Sequence, residues 1–175
     1  MRRVGRAVLA LSLAVTPLAT GHAMAKGDTH LSSLATYHGR TIDLSVSWEG
    51  AQACSISASG NSCFDSDAEM TTALAAATSA SHDAGILSTC ASSLHLYGAT
   101  GFGLPHLALN GPEGTFISLS GYGFSGVTSS YSVGSCSSAF RDGSNITYPG
   151  STSAGASASS MVSGWDNRIT KVYIS

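Results

Sequence analysis

The residues with the most chemistry in this chain are four cysteines and a few scattered acids and histidines. Cys54, Cys63, Cys90 and Cys136 form an even set, which can close disulfides or hold zinc. Zinc needs close ligand spacing, and the sequence contains neither C-x-x-C nor H-E-x-x-H. His30, His38, His82, His95 and His106 follow no ligand spacing either. Asp65, Asp67 and Glu69 stand close enough to hold a cation. They also open an alanine-rich run, where the helix dipole favours negative charge, and capping is the favoured reading. No G-x-S-x-G elbow, P-loop or G-x-G-x-x-G is present. Serine is so abundant that a Ser/His/Asp trio can be assembled by chance. A paired-carboxylate hydrolase needs two acids in one cleft, whereas Glu113, Asp142 and Asp166 fall in separate loops. The residues therefore point away from an enzyme. His95 and His106 flank a hairpin and read as surface or strand residues.

The compartment decides how the cysteines behave. Arg2, Arg3 and Arg6 precede an apolar run from Val8 to Leu18, and Ala23-Met24-Ala25 has the form of a signal-peptidase site. Together they predict a signal peptide over residues 1–25 and a secreted protein. The run falls short of the ~20 residues that span a bilayer, and no other segment qualifies. Loss of the three arginines leaves five basic residues against ten acidic ones, a balance of −5. That charge, with no Lys/Arg cluster, excludes nucleic acid as a partner. Outside the cytosol the cysteines read as disulfides. Four cysteines allow three pairings, of which Cys54–Cys63 and Cys90–Cys136 are favoured. Closing these loops is worth about 3 and about 4 kcal/mol.

The 175 residues suffice for one ordinary domain and a small addition. Residues 26–85 form the addition. Its start, Lys26 to Gly39, is polar and loose. Thr41 to Trp48 alternates polar and apolar residues, as a half-buried strand does, and Glu49-Gly50 turns the chain. Ser59-Gly60-Asn61 is a hairpin turn between Cys54 and Cys63. Ser66-x-x-Glu69 is a capping box opening a helix over Met70 to Ala77, which would pack Met70, Leu74 and Ala77 on the hairpin. Residues 80–89 read as a linker. From Cys90 onward, in the domain placed at residues 86–175, the pattern is short alternating runs divided by Gly, Pro and Asn, the mark of a small antiparallel sandwich. Leu94 with Leu96, Leu107 with Leu109, and Phe116, Ile117 and Leu119 supply its apolar positions.

A repeat lies within residues 86–175. Gly123 to Val133 aligns without gaps on Gly164 to Ile174, 41 positions on. Each copy has a glycine, a large aromatic (Phe124 or Trp165), polar residues, a hydroxyl and an alternating strand. Cys90 and Cys136 open the two halves. Several strands per 40-residue copy suggest two Greek keys that bury each other's apolar faces.

Tyr97-x-x-x-x-Phe102-Gly103, followed by the aromatic-polar-polar-x-x-hydroxyl segment, resembles the βγ-crystallin Greek-key motif. The whole chain after residue 25 resembles secreted bacterial proteins of the crystallin-like metalloproteinase-inhibitor family. The second hairpin, Phe140 to Asn145, lacks the aromatic pair. The resemblance implies a mainly β, βγ-crystallin-like sandwich of two Greek-key motifs, preceded by a small β-hairpin plus helix segment. It also implies calcium at N/D-N/D-x-x-S/T-S, met by Asp166, Asn167 and Thr170, with Lys171 in the last place. Carbonyls from Ala99 to Gly101 would complete that shell. The alternative is structural: an Asx turn at Asp166-Asn167, with Ser129 and Thr170 hydrogen-bonding the hairpins. The implied activity is peptidase inhibition, with Asn110 to Gly114 and Tyr148 to Thr152 as candidate loops and an extracellular protease as partner. The alternative to inhibition is a degenerate calcium-binding module with a structural or envelope-associated role. A third class is a surface or matrix module that recognises a protein, a glycan or the cell envelope through Tyr97, Tyr122, Tyr148 and Trp165, although most of these read as core or tyrosine-corner residues.

Overall fold

A computed structural model describes residues 32–83 and 93–175. Residues 1–25, expected to be a signal peptide, most of the expected linker and Cys90 lie outside the described residues.

The described end of the expected loose start enters a hairpin. β1 (Leu34–Tyr37) pairs antiparallel with β2 (Arg40–Asp43). His38 and Gly39 between them both have positive φ, 48° and 72°, the backbone a two-residue hairpin turn demands. The strand expected to reach Trp48 stops at Asp43. Asp43 Oδ1 accepts from Ser45 N and Ser45 Oγ, while Val46 N and Ser47 N donate to the Asp43 carbonyl. This Asx turn outcompetes strand pairing, and Val46 is left 83 % exposed.

The hairpin of β3 (Ala53–Ser57) and β4 (Ser62–Phe64) forms as expected, with Cys54 opposite Cys63 and bonded to it. Helix α1 (Asp67–Asp83) starts at the predicted cap and runs further than predicted. Glu69 N donates to Ser66 Oγ at 3.3 Å, and Asp65 N donates to Glu69 Oε2 at 3.2 Å. Met70 is buried and Leu74 half-buried against Ala53, Ala108 and Phe64. Ala77 is exposed, because it lies beyond the part of the helix that rests on the sheet.

Strands β5 (Leu94–Ala99), β6 (Gly103–Asn110), β7 (Phe116–Ser118), β8 (Ser130–Ser132), β9 (Ser138–Asp142), β10 (Ser157–Ala158) and β11 (Ile169–Ile174) complete a mainly β protein. They form two sheets, ordered β10-β8-β5-β6-β3-β4-β1-β2 and β7-β11-β9. The large sheet runs unbroken into the N-terminal part, because β3 pairs parallel with β6 from Ala53↔His106 to Ser57↔Asn110. On its inner face Tyr131, Leu96, Leu107, Cys54 and Cys63 follow one another across five strands, all buried. Phe140, Val172 and Ile117 face them from the small sheet. Alternation thus puts every second residue into one shared core.

The repeat is visible as matched geometry. β7 of the first half crosses to β11 of the second, and β10 of the second crosses to β8 of the first. Ile117↔Val172 and Ala158↔Tyr131 are the same pair 41 positions apart, with the halves exchanged. So are Gly126 N to Ile169 O at 2.8 Å and Asn167 N to Thr128 O at 3.0 Å. The second hairpin is irregular, as its missing aromatics suggest: β9 is followed by a turn and a single bridge, Arg141↔Thr147.

Gly123 and Gly164 occupy equivalent places with φ of 64° and 79°. A Cβ on Gly123 would sit 2.7 Å from the Leu44 carbonyl, whereas one on Gly164 meets nothing within 4 Å. Gly164→Ala is therefore expected to cost about 1 kcal/mol, from backbone strain alone. Gly123→Ala should cost about 3 kcal/mol, because the chain must also move off residue 44. Urea midpoints of the two variants check this. Equal losses would mean that the N-terminal part does not pack on the first repeat.

Candidate functional site

The three acids at the start of α1 go to three different partners. Asp65 Oδ1 accepts from Tyr37 OH and lies 3.0 Å from His38 Nε2. Tyr37 OH and then His38 hold the Asp65 carboxyl below its ordinary value. Glu69 caps the helix. Asp67 reaches across to His106. They do not converge, so the capping reading fits and a shared cation site does not.

Asp166 and Asn167 lie in an exposed turn, and Asn167 has a left-handed φ of 56°, like Gly126 at 71° in the other copy. Asn167 Oδ1 accepts from Ser129 Oγ at 3.3 Å, and Asn167 Nδ2 approaches Asp166 Oδ2 at 3.4 Å. Thr170 Oγ1 points to the Arg141 carbonyl at 3.4 Å. In the first copy the hairpin is held one residue later than expected. Ser130 Oγ, rather than Ser129, donates to the Ala99 carbonyl at 2.7 Å and accepts from Phe102 N at 3.0 Å. Lys171, aligned with Ser130, reaches Asn145 Oδ1 at 3.1 Å. The Ala99 carbonyl is thus taken by a hydroxyl. Asp166 is the single carboxylate of the set, which suits at most a weak calcium site, ~10⁻⁴ M or poorer. Among the described residues no three His, Cys, Asp or Glu side chains are grouped so that they could hold a metal ion.

Asp142 is structural. Ile146 N and Ser144 N donate to its Oδ1 at 2.8 and 2.9 Å, and Arg168 reaches its Oδ2 at 2.6 Å. Burial pushes this carboxyl up, but these hydrogen bonds outweigh it and leave it below the ordinary value.

The two loops differ in how they are held. Asn110 to Gly114 is exposed or half-exposed and is tied by Gly114 N to the Ile174 carbonyl at 2.9 Å. Tyr148 to Thr152 is anchored from beneath. Tyr148 is buried, Tyr131 OH donates to the Ser151 carbonyl at 2.6 Å, and Ser138 N donates to the Thr152 carbonyl at 2.8 Å. Thr152 Oγ1 also donates to the Ser138 carbonyl. Pro149 and Ser151 stay exposed on this base. Cys136 nearby is disulfide-bonded. Tyr122, Tyr148 and Trp165 are buried, so three of the four aromatics proposed as partner contacts belong to the core.

One constellation was not anticipated. His95 on β5 and His106 on β6 project from the outer face of the large sheet. His95 Nδ1 lies 2.8 Å from His106 Nε2, and His106 Nδ1 bonds Asp67 Oδ1 at the start of α1. Tyr97 stacks on His106 with ring centroids 4.1 Å apart. His106 is 2 % exposed, so it is no surface residue. Burial, then the neighbouring His106, pushes His95 down to about 4, with Asp67 opposing. Burial also lowers His106, against the hydrogen bond and charge of Asp67. Both shifts favour the uncharged rings. The signal was present in the alternation: each histidine adjoins a buried leucine, Leu94, Leu96 or Leu107, and so shares the opposite face.

No protein-family model, curated protein or solved structure matches the chain. No helix among the described residues is long and apolar enough to cross a membrane.

Proposed function

We propose that the chain is a secreted, non-enzymatic binding protein whose residues 86–175 form a βγ-crystallin-like pair of Greek keys, and that it inhibits a peptidase. The exchange of β7 and β10 between halves, with matched registers 41 residues apart, supports the Greek-key reading. The loop from Tyr148 to Thr152 carries the functional one. An inhibitor gains affinity when its contact loop is already rigid before binding. Here buried Tyr148, the Tyr131 hydroxyl and two bonds between Ser138 and Thr152 fix the loop, while Pro149 and Ser151 face outward. An extracellular protease is the proposed partner. Calcium at Asp166, Asn167 and Thr170, in an envelope-associated module, is the second reading. It is favoured by the exposed Asp166 carboxylate, which makes no ion pair among the described residues.

Residual activity of thermolysin-like and subtilisin-like proteases, titrated with the oxidised protein, tests the first reading. One class should lose activity stoichiometrically. Tyr131→Phe, which releases the Ser151 carbonyl but keeps the ring, should weaken inhibition up to about tenfold. Full protease activity at a large excess of inhibitor would refute inhibition. A rise in melting temperature with millimolar calcium would then favour the second reading.

A further inference from the structure

We infer that α1 is an acid-released latch: Asp67, His106 and His95 hold its first turn on the sheet, and protonation of the imidazole pair lets the helix go. The geometry sets the rule. The 2.8 Å contact between His95 Nδ1 and His106 Nε2 has room for one hydrogen, so one of these nitrogens must be bare. His106 Nδ1 is committed to Asp67. A first added proton can sit on the outer nitrogen of His95, with Asp67 balancing its charge. A second proton sets N–H against N–H, and the contact breaks.

Among the described side chains the docking face of the helix is small. Met70 and Leu74 pack on Ala53, Ala108 and Phe64, while residues 71–73 and 75–79 are exposed. On so small a face, the part-buried Asp67–His106 contact decides whether the helix is seated.

The other groups around the pair have partners of their own. Tyr97, stacked on His106, is pushed up by burial and then by Asp67, and stays neutral. The adjoining strands set Ser132 opposite His95 and Ala53 opposite His106, and β4 contributes Phe64; none of these titrates. Asp65 is occupied by Tyr37 and His38, and Glu69 by Asp65 N.

Both histidines titrate lower in the closed state than when free, so the open state binds more protons below the free-histidine value of ~6.5. The closed state is fully favoured above that pH. Its advantage fades as pH falls towards about 4, where His95 titrates in place. With one or two extra protons bound on opening, the open fraction should rise about tenfold to about a hundredfold per pH unit in this window.

Amide hydrogen exchange on the full oxidised protein, corrected for the intrinsic pH dependence of exchange, tests the latch from neutral pH to about pH 4. Protection of α1 should fall by those factors per pH unit while β9 and β11 stay protected. His95→Phe keeps a ring beside Tyr97 and removes the conflict, so its slope should fall below that of the unmodified protein by up to about tenfold per unit. Constant protection of α1 in the unmodified protein, or the same slope in His95→Phe, would overturn the inference. Should His95→Phe not fold, Asp67→Asn gives the same decision. It keeps an acceptor for His106 without the charge and should open the helix more at each acidic pH, and an unchanged profile overturns the latch.

Discussion

Phe124→Ala is expected to remove about 3–5 kcal/mol of stability. The ring is 1 % exposed and stacks on Trp48 with centroids 5.7 Å apart. Trp48 is itself fixed by its Nε1 donating to the Tyr122 carbonyl at 2.8 Å. Truncation therefore leaves a cavity walled by a ring that a hydrogen bond prevents from collapsing inward. The loss should appear as a lower urea midpoint with an unchanged slope. A double cycle with Trp48→Ala should show coupling of about 0.5–1.5 kcal/mol. Strict additivity would mean that the N-terminal part does not brace the first repeat.

Trp165→Ala should cost a similar amount, about 3–5 kcal/mol, for a different local reason. Its ring meets Tyr148 edge-on at 5.4 Å and lies beneath the Arg168 guanidinium at 4.9 Å. Tyr148 in turn touches Tyr131 and Phe140. The second aromatic is thus supported from within the C-terminal part, the first from outside it. Trp48→Ala should leave the cost of Trp165→Ala unchanged, since neither residue shares a partner. A loss below about 1 kcal/mol for Trp165→Ala would show that this ring does not anchor the second copy.

Much of the fold could be read locally. Leu94, Leu96, Leu107 and Leu109 announce two half-buried strands, and all four are buried. Ser59-Gly60-Asn61 announces the Cys54–Cys63 hairpin, and Ser66 with Glu69 the helix start. The β1–β2 hairpin escaped notice because its turn is His38-Gly39, where a histidine takes the left-handed backbone more often filled by Asn or Gly. Thr41 to Trp48 misled because alternation alone does not reveal that Asp43 will bond its own following backbone. Of the candidate site, the anchored loop is one of the two candidates that accompany the family resemblance. What anchors it, the Tyr131 hydroxyl, lies 20 residues away and left no local trace.

Residue order by itself determined the alternating strands, the stapled hairpin, the helix cap and the 41-residue equivalence, because each depends on neighbours a few positions apart or on direct self-similarity. Tertiary structure alone decided that β3 lies parallel to β6 and that Asp67, His95 and His106 meet. Those contacts join segments 11 to more than 50 residues apart. Such pairings depend on which surfaces are left to cover once local structure has formed, and no local pattern encodes that.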